Sequence, residues 1–77
     1  MVVYELDRIE NGRYYYNYYP QGNREAKGCI YTDKNDNRGI VEISKDDEFR
    51  ICAGHIWRYF KYNPDKLGKK TGEIMLF

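Results

Sequence analysis

The spacing of the apolar residues changes once along this chain, at Ser44. Before Ser44, apolar and polar residues alternate, as at Val2, Tyr4 and Leu6, and this is the period of a half-buried β-strand. After Ser44, apolar residues recur every three or four positions, which is the period of one face of an α-helix. A sheet followed by one amphipathic helix predicts an α+β fold, with the helix packed on one sheet face.

The predicted strands cover residues 2–7, 13–19, 28–32, 39–44 and 73–77, which gives the order β-β-β-β-α-β. Asn11-Gly12 is a strong hairpin signal, since both residues tolerate a positive φ. Pro20 to Asn23 and the polar run 33–37 predict two further turns. Because short turns join antiparallel neighbours, we expect a mainly antiparallel sheet.

The helix is predicted over residues 46–62. Ser44 to Asp47 resembles a capping box with Asp in place of Glu. Pro64 prevents the helix from continuing. One apolar stripe should face the sheet, formed by Phe49, Cys52, Ala53, Ile56 and Phe60.

Length and composition restrict the class of protein. Residues 1–77 form one small domain with a thin core, because nine of the residues counted as apolar are tyrosines. The net charge of +1 gives no strong field toward a polyanion or a membrane. No apolar run is long enough to span a bilayer, and no export signal is evident. We therefore expect a cytoplasmic protein whose two cysteines are reduced.

No complete catalytic or metal-binding constellation is found in the sequence. Cys29, Cys52 and His55 are too few ligands for a structural zinc. Asp33, Asn35 and Asn37 begin a calcium-loop pattern, but its glycine and its final glutamate are missing. Carboxylates at the helix start should have lowered pKa values, the wrong direction for a general acid. We predict a protein without enzymatic activity, cofactor or metal.

Five tyrosines fall within six residues of the second predicted strand. Alternation places Tyr14, Tyr16 and Tyr18 on one face of the strand, and Tyr15, Asn17 and Tyr19 on the other. If the first set lies under the helix, the second set forms an exposed aromatic surface that could bind another protein or a second copy of this chain. The alternative is that the rings add bulk to both faces of a thin sheet.

A second candidate surface lies at the end of the helix and in the loop 64–72. Basic side chains for phosphates, interleaved with aromatic rings for stacking, are typical of single-stranded nucleic-acid binding. The basic residues are Arg58, Lys61, Lys66, Lys69 and Lys70. The interleaved aromatic residues are Trp57, Tyr59, Phe60 and Tyr62. Cations are also favoured at any helix C-terminus, so their presence alone does not decide the function.

The stretch GIVEISKDDEFRICAGHIWRYFKYN, with the closing GEIMLF, resembles short uncharacterised bacterial proteins of the Firmicutes type. The resemblance implies a tyrosine-rich first hairpin, an acidic-capped helix and a short apolar C-terminal strand. It supplies no activity and no functional residues. Proteins of this kind are often carried by mobile elements, so an inhibitor of a host defence protein is a further alternative.

Overall fold

The computed structural model describes residues 1–75 and confirms the α+β fold with the predicted order β-β-β-β-α-β. Two 3₁₀ turns, Arg24–Ala26 and Pro64–Lys66, lie between the main elements. The main elements are β1 (Val2–Glu10), β2 (Arg13–Pro20), β3 (Gly28–Thr32), β4 (Arg38–Glu42), α1 (Ile51–Tyr62) and β5 (Thr71–Ile74). No helix within residues 1–75 combines the length and the apolar character that crossing a bilayer demands.

The five strands form one antiparallel sheet in the order β4-β3-β2-β1-β5. The first four strands follow one another as hairpins, and Asn11 and Gly12 take the positive φ values of 53° and 78° that the first turn needs. After α1, the chain returns to pair β5 with β1. The last predicted strand also included Leu76 and Phe77, which lie outside the described residues.

The predicted start of the helix is wrong by five residues, because α1 begins at Ile51. Ser44 does not cap it, since its hydroxyl donates to the carbonyl of Ala26 instead. The cap is Asp47, whose carboxylate accepts from the amides of Cys52 at 2.7 Å and Ala53 at 3.0 Å. The segment before α1 forms turns that end at Arg50, whose φ of 60° is left-handed.

The helix stripe is confirmed except at its first member. Cys52, Ala53, Ile56 and Phe60 are buried. Phe49 is 80% exposed, because it precedes α1 and is not held on the buried helical face.

Three tyrosines are the largest fully buried side chains of the core between α1 and the sheet. Tyr4, Tyr16 and Tyr18 are fully buried, and the Tyr16 ring stacks on Phe60 with centroids 4.8 Å apart. Buried hydroxyls need partners. The Tyr16 hydroxyl accepts from the amide of Gly68 at 2.8 Å, and the Tyr18 hydroxyl donates to Asp47 at 3.2 Å. The inner sheet face is therefore the one that carries Tyr16 and Tyr18, a choice between two faces that the alternation left open.

Candidate functional site

The outer sheet face carries Tyr15, Asn17 and Tyr19, opposite the face that packs on α1. The prediction that Tyr19 is exposed is wrong, since only 7% of its surface is accessible. Its hydroxyl donates to Glu5 at 3.2 Å, and the guanidinium of Arg24 covers its ring at 4.4 Å. Tyr19 is therefore unsuited to anchor a partner.

The other rings of the outer face are also covered by side chains of the same chain. Arg8 lies 3.9 Å from the centroid of the half-buried Tyr15 ring. Arg13 lies 4.3 Å from the centroid of the Tyr31 ring, and the rings of Tyr15 and Tyr31 are 5.6 Å apart. These rings therefore already make cation–π contacts with guanidinium groups of the same chain. This arrangement favours the alternative that the outer rings add bulk to a thin sheet.

The structure divides the five cations of the second candidate surface. Arg58 and Lys61 lie side by side on the exposed side of α1. Lys66, Lys69 and Lys70 are also exposed, but they belong to the segment after α1.

The interleaved aromatic residues at the helix end belong mostly to the core. Phe60 is buried, and Trp57 and Tyr59 pack against the core cluster. The indole nitrogen of Trp57 donates to the carbonyl of Tyr31 at 3.1 Å. Of these four rings, Tyr62 is the most exposed, with 70% of its surface accessible.

A groove of about 510 Å³ runs along the outer side of α1. Its cationic lining residues are Arg38, Arg50, Arg58 and Lys61, with His55 between them. Its aromatic lining residues are Phe49 and Tyr62, which are the two most exposed aromatic side chains within residues 1–75. We call this surface the helix groove.

Each part of the helix groove has a local cause in the chain. Spacing of three residues puts Arg58 and Lys61 on one face of α1. Gly54 leaves the floor open, since no atom lies within 4 Å of the position that a side chain would occupy. The left-handed turn at Arg50 ends the segment that carries Phe49 before α1 begins. The Phe49 ring is therefore exposed because α1 begins only at Ile51, two residues after it.

The helix groove is electropositive. None of its described lining residues is acidic. Asp36 lies beside it, pairing with Arg38 at 2.7 Å and approaching Lys61 at 4.0 Å. Arg50 and Arg58 make no ion pair within residues 1–75. Their charges are therefore free to attract an anion.

Two of the residues considered for thiol or metal chemistry, Cys52 and Asp33, have structural roles. Burial, reinforced by Asp47, raises the pKa of Cys52 to about 11, which is opposite to the activation of a nucleophile. Asp33 accepts from the amides of Asn35 at 2.8 Å and Asn37 at 3.0 Å, so its carboxylate holds the turn between β3 and β4. Hydrogen bonds from Asn37 also lower the pKa of Asp33. Residues 1–75 contain no cluster of three potential metal ligands.

The sequence pattern predicts Arg58, Lys61 and Tyr62 as parts of a binding surface, but it does not predict that Arg38, Arg50 and Phe49 join them in the helix groove. Arg38 and Arg50 are far from Arg58 in the chain and adjacent only in the fold. The apolar spacing predicts Phe49 in the buried stripe, whereas the ring is exposed. The left-handed residue that exposes Phe49 has no signal in the sequence, since arginine is not a residue that favours positive φ.

Comparison with known proteins identifies no relative. No family model matches the chain, and neither a curated protein nor a solved structure matches it.

Proposed function

We propose that this protein is a non-catalytic binding module that holds a single-stranded nucleic acid in the helix groove. The observation that carries the proposal is the convergence of four cationic side chains and two exposed rings on one groove, whose lining within residues 1–75 holds no acidic residue. Cations neutralise backbone phosphates, and exposed rings stack on unpaired bases.

A single strand fits this surface better than a duplex does. Phe49 and Tyr62 project their rings into solvent, and a base can stack on such a ring only when it is not already stacked in a duplex. A duplex would engage only the cations and leave both rings unused. We therefore expect preference for unpaired strands.

The helix groove is a better candidate than the tyrosine-rich outer face. A protein or second copy docking on the outer face would have to displace Arg8 from Tyr15 or Arg24 from Tyr19 and Glu5. Each displacement loses a contact already made within the chain. Among the described residues, Arg50 and Arg58 of the helix groove form no ion pair or cation–π contact that a ligand would have to displace.

The cellular compartment that we propose is the cytoplasm. Cys29 and Cys52 are both free thiols. A reducing compartment keeps such thiols from oxidation. Burial raises the pKa of both thiols, which further slows their reaction.

The proposal is tested by titrating a labelled single-stranded oligonucleotide at low salt and following its anisotropy. The double substitution Arg50→Ala with Arg58→Ala should weaken binding at least tenfold, and Phe49→Ala or Tyr62→Ala should weaken it about tenfold each. The matched control is Lys69→Ala with Lys70→Ala, which removes two positive charges outside the helix groove. That control should change affinity less than threefold.

Two results would overturn the proposal. One is the absence of binding by the unaltered protein at low salt. The other is an equal loss of affinity in the groove variant and in the Lys69 and Lys70 control, because that would reduce the interaction to net charge.

A further inference from the structure

Two exposed apolar side chains at the start of α1 lie between two grooves. Phe49 is 80% exposed and Ile51 is 59% exposed. Both side chains line the helix groove, and both also line a second groove of about 400 Å³. We call the pair the apolar ridge and the second groove the acidic groove. Large apolar side chains that are exposed together are typical of a surface that another protein covers.

The two grooves beside the apolar ridge carry opposite charge. The helix groove is lined by four cationic side chains and, among the described residues, by no acidic one. The acidic groove is lined by Asp46, Asp47 and Glu48, together with the cation Lys45. Asp47 is 5% exposed and caps α1, so Asp46 and Glu48 are the carboxylates that face solvent. Neither of these two forms an ion pair within residues 1–75.

A surface with this pattern is complementary to a second copy of itself. A two-fold axis parallel to the apolar ridge places the ridge of one copy against the ridge of the other. The same rotation places the helix groove of each copy opposite the acidic groove of its partner, so the attraction between opposite charges occurs twice. Lys45 would meet like charge in this arrangement, but its side chain is exposed and can turn into water.

We propose that this protein forms a weak, symmetric homodimer through the apolar ridge, with Asp46 and Glu48 of each copy facing the cations of the other copy's helix groove. The contact is limited to one ridge and its two flanking grooves, which suits a reversible dimer better than a permanent one. The ridge supplies the apolar burial, and the charges select the partner and its orientation.

The dimer goes beyond the proposed function but uses the same cations. Arg50 and Arg58 would face phosphates in the one case and the carboxylates of a second copy in the other. A bound strand and a second copy are therefore alternatives, and each should displace the other.

The first test is sedimentation equilibrium of the protein alone at a series of concentrations. The unaltered protein should show a monomer–dimer equilibrium, and Phe49→Ser or Ile51→Ser should weaken it at least about tenfold. Ile9→Ser is the matched control, because Ile9 is 57% exposed and lines neither groove. It should change the dimerisation constant less than about threefold. A protein that stays monomeric throughout, or an equal loss in the Ile9→Ser control, would overturn the proposal.

The second test exchanges charge between two double variants. Asp46→Lys with Glu48→Lys makes both sides of the apolar ridge cationic, whereas Arg50→Glu with Arg58→Glu places carboxylates on both sides. Each double variant alone should self-associate at least about tenfold more weakly than the unaltered protein, because like charges would meet. An equal mixture of the two should restore association as a heterodimer. A mixture that associates no better than its components would contradict the pairing of the two grooves.

The third test distinguishes this inference from the proposed function. A single-stranded oligonucleotide that saturates the helix groove should shift the equilibrium to the monomer, and a dimer that persists at saturation would contradict the shared use of Arg50 and Arg58. If no oligonucleotide binds, the proposed function fails, and sedimentation of the protein alone still decides the dimer. If the protein is monomeric, the dimer fails, and the oligonucleotide titration still decides the proposed function.

Discussion

Asp47 has a role that depends on its exact position among three consecutive acidic residues. Its carboxylate accepts from the amides of Cys52 and Ala53 and from the hydroxyl of Tyr18, and 5% of the residue is exposed. It thereby satisfies two of the amides that the start of α1 leaves without helical partners. The neighbouring Asp46 is exposed, and its carboxylate accepts from the side-chain amide of Asn23 at 3.4 Å.

We expect Asp47→Asn to lower the free energy of unfolding by about 2 kcal/mol, because the amide side chain cannot accept from all three donors. The measurement is urea denaturation followed by circular dichroism. Asp46→Asn is the matched control and should change stability by less than about 0.5 kcal/mol. Similar losses for the two variants would show that the acidic run acts through general charge at the helix start and not through this cap.

At the scale of the elements, three tyrosines lie across the sheet over glycines of neighbouring strands. The register pairs Tyr18 with Gly28, Tyr31 with Gly39, and Tyr4 with Gly72. A side-chain carbon added at Gly28 would lie 2.3 Å from the Tyr18 ring. Glycine therefore makes room for a flat ring on the sheet, as in aromatic rescue. These contacts help to join the strands of a sheet that has few aliphatic residues.

We expect Gly28→Ala to destabilise the protein by about 2–3 kcal/mol, since the Tyr18 ring is held at its hydroxyl by Ser44 and Asp47 and cannot easily move away. Gly54→Ala is the contrasting control, because its added carbon would point into open space on α1. Helix propensity predicts a gain of about 1 kcal/mol there. Thermal and urea denaturation of both variants would check the opposite signs, and a Gly28→Ala variant as stable as the unaltered protein would contradict the close approach.

At the scale of the whole molecule, a chain with a net charge of only +1 has an uneven distribution of charge. On the outer sheet face, Arg24 pairs with Glu5, and Arg8 pairs with Asp7. In the helix groove, Arg50 and Arg58 remain unpaired within the described residues. Local field, not net charge, governs the approach of a charged ligand at short range.

The salt dependence of oligonucleotide binding should report the number of cations engaged. If all four cations of the helix groove contact phosphates, the logarithm of the affinity should fall with the logarithm of salt concentration with a slope of about −3. The Arg50→Ala and Arg58→Ala double variant should have roughly half that slope. A slope near zero in the unaltered protein would contradict phosphate contact, whatever the affinity.

Much of the fold could be predicted from the sequence because its signals are local. The Asn11-Gly12 turn, the alternation around Tyr16 and the apolar spacing from Cys52 to Phe60 each act within a few residues, and the structure confirms all three. The stop before Pro64 is equally local, and α1 ends at Tyr62. Alternation alone also divided the residues of β2 into two faces, but it left open which face packs on α1.

The remaining features depend on contacts between distant parts of the chain, and the sequence pattern does not contain them. Asp47 and not Ser44 caps α1, because the Ser44 hydroxyl donates to the carbonyl of Ala26 and the chain turns at Arg50. Tyr19 is covered because Arg24 and Glu5 meet over it. Local periodicity determined which elements form and which way their side chains alternate. Packing of those elements decided where α1 starts and which rings reach solvent. It also brought Arg38 and Arg50 beside Arg58 in one groove. The reason is that exposure and the proximity of charges arise only when residues far apart in sequence come together.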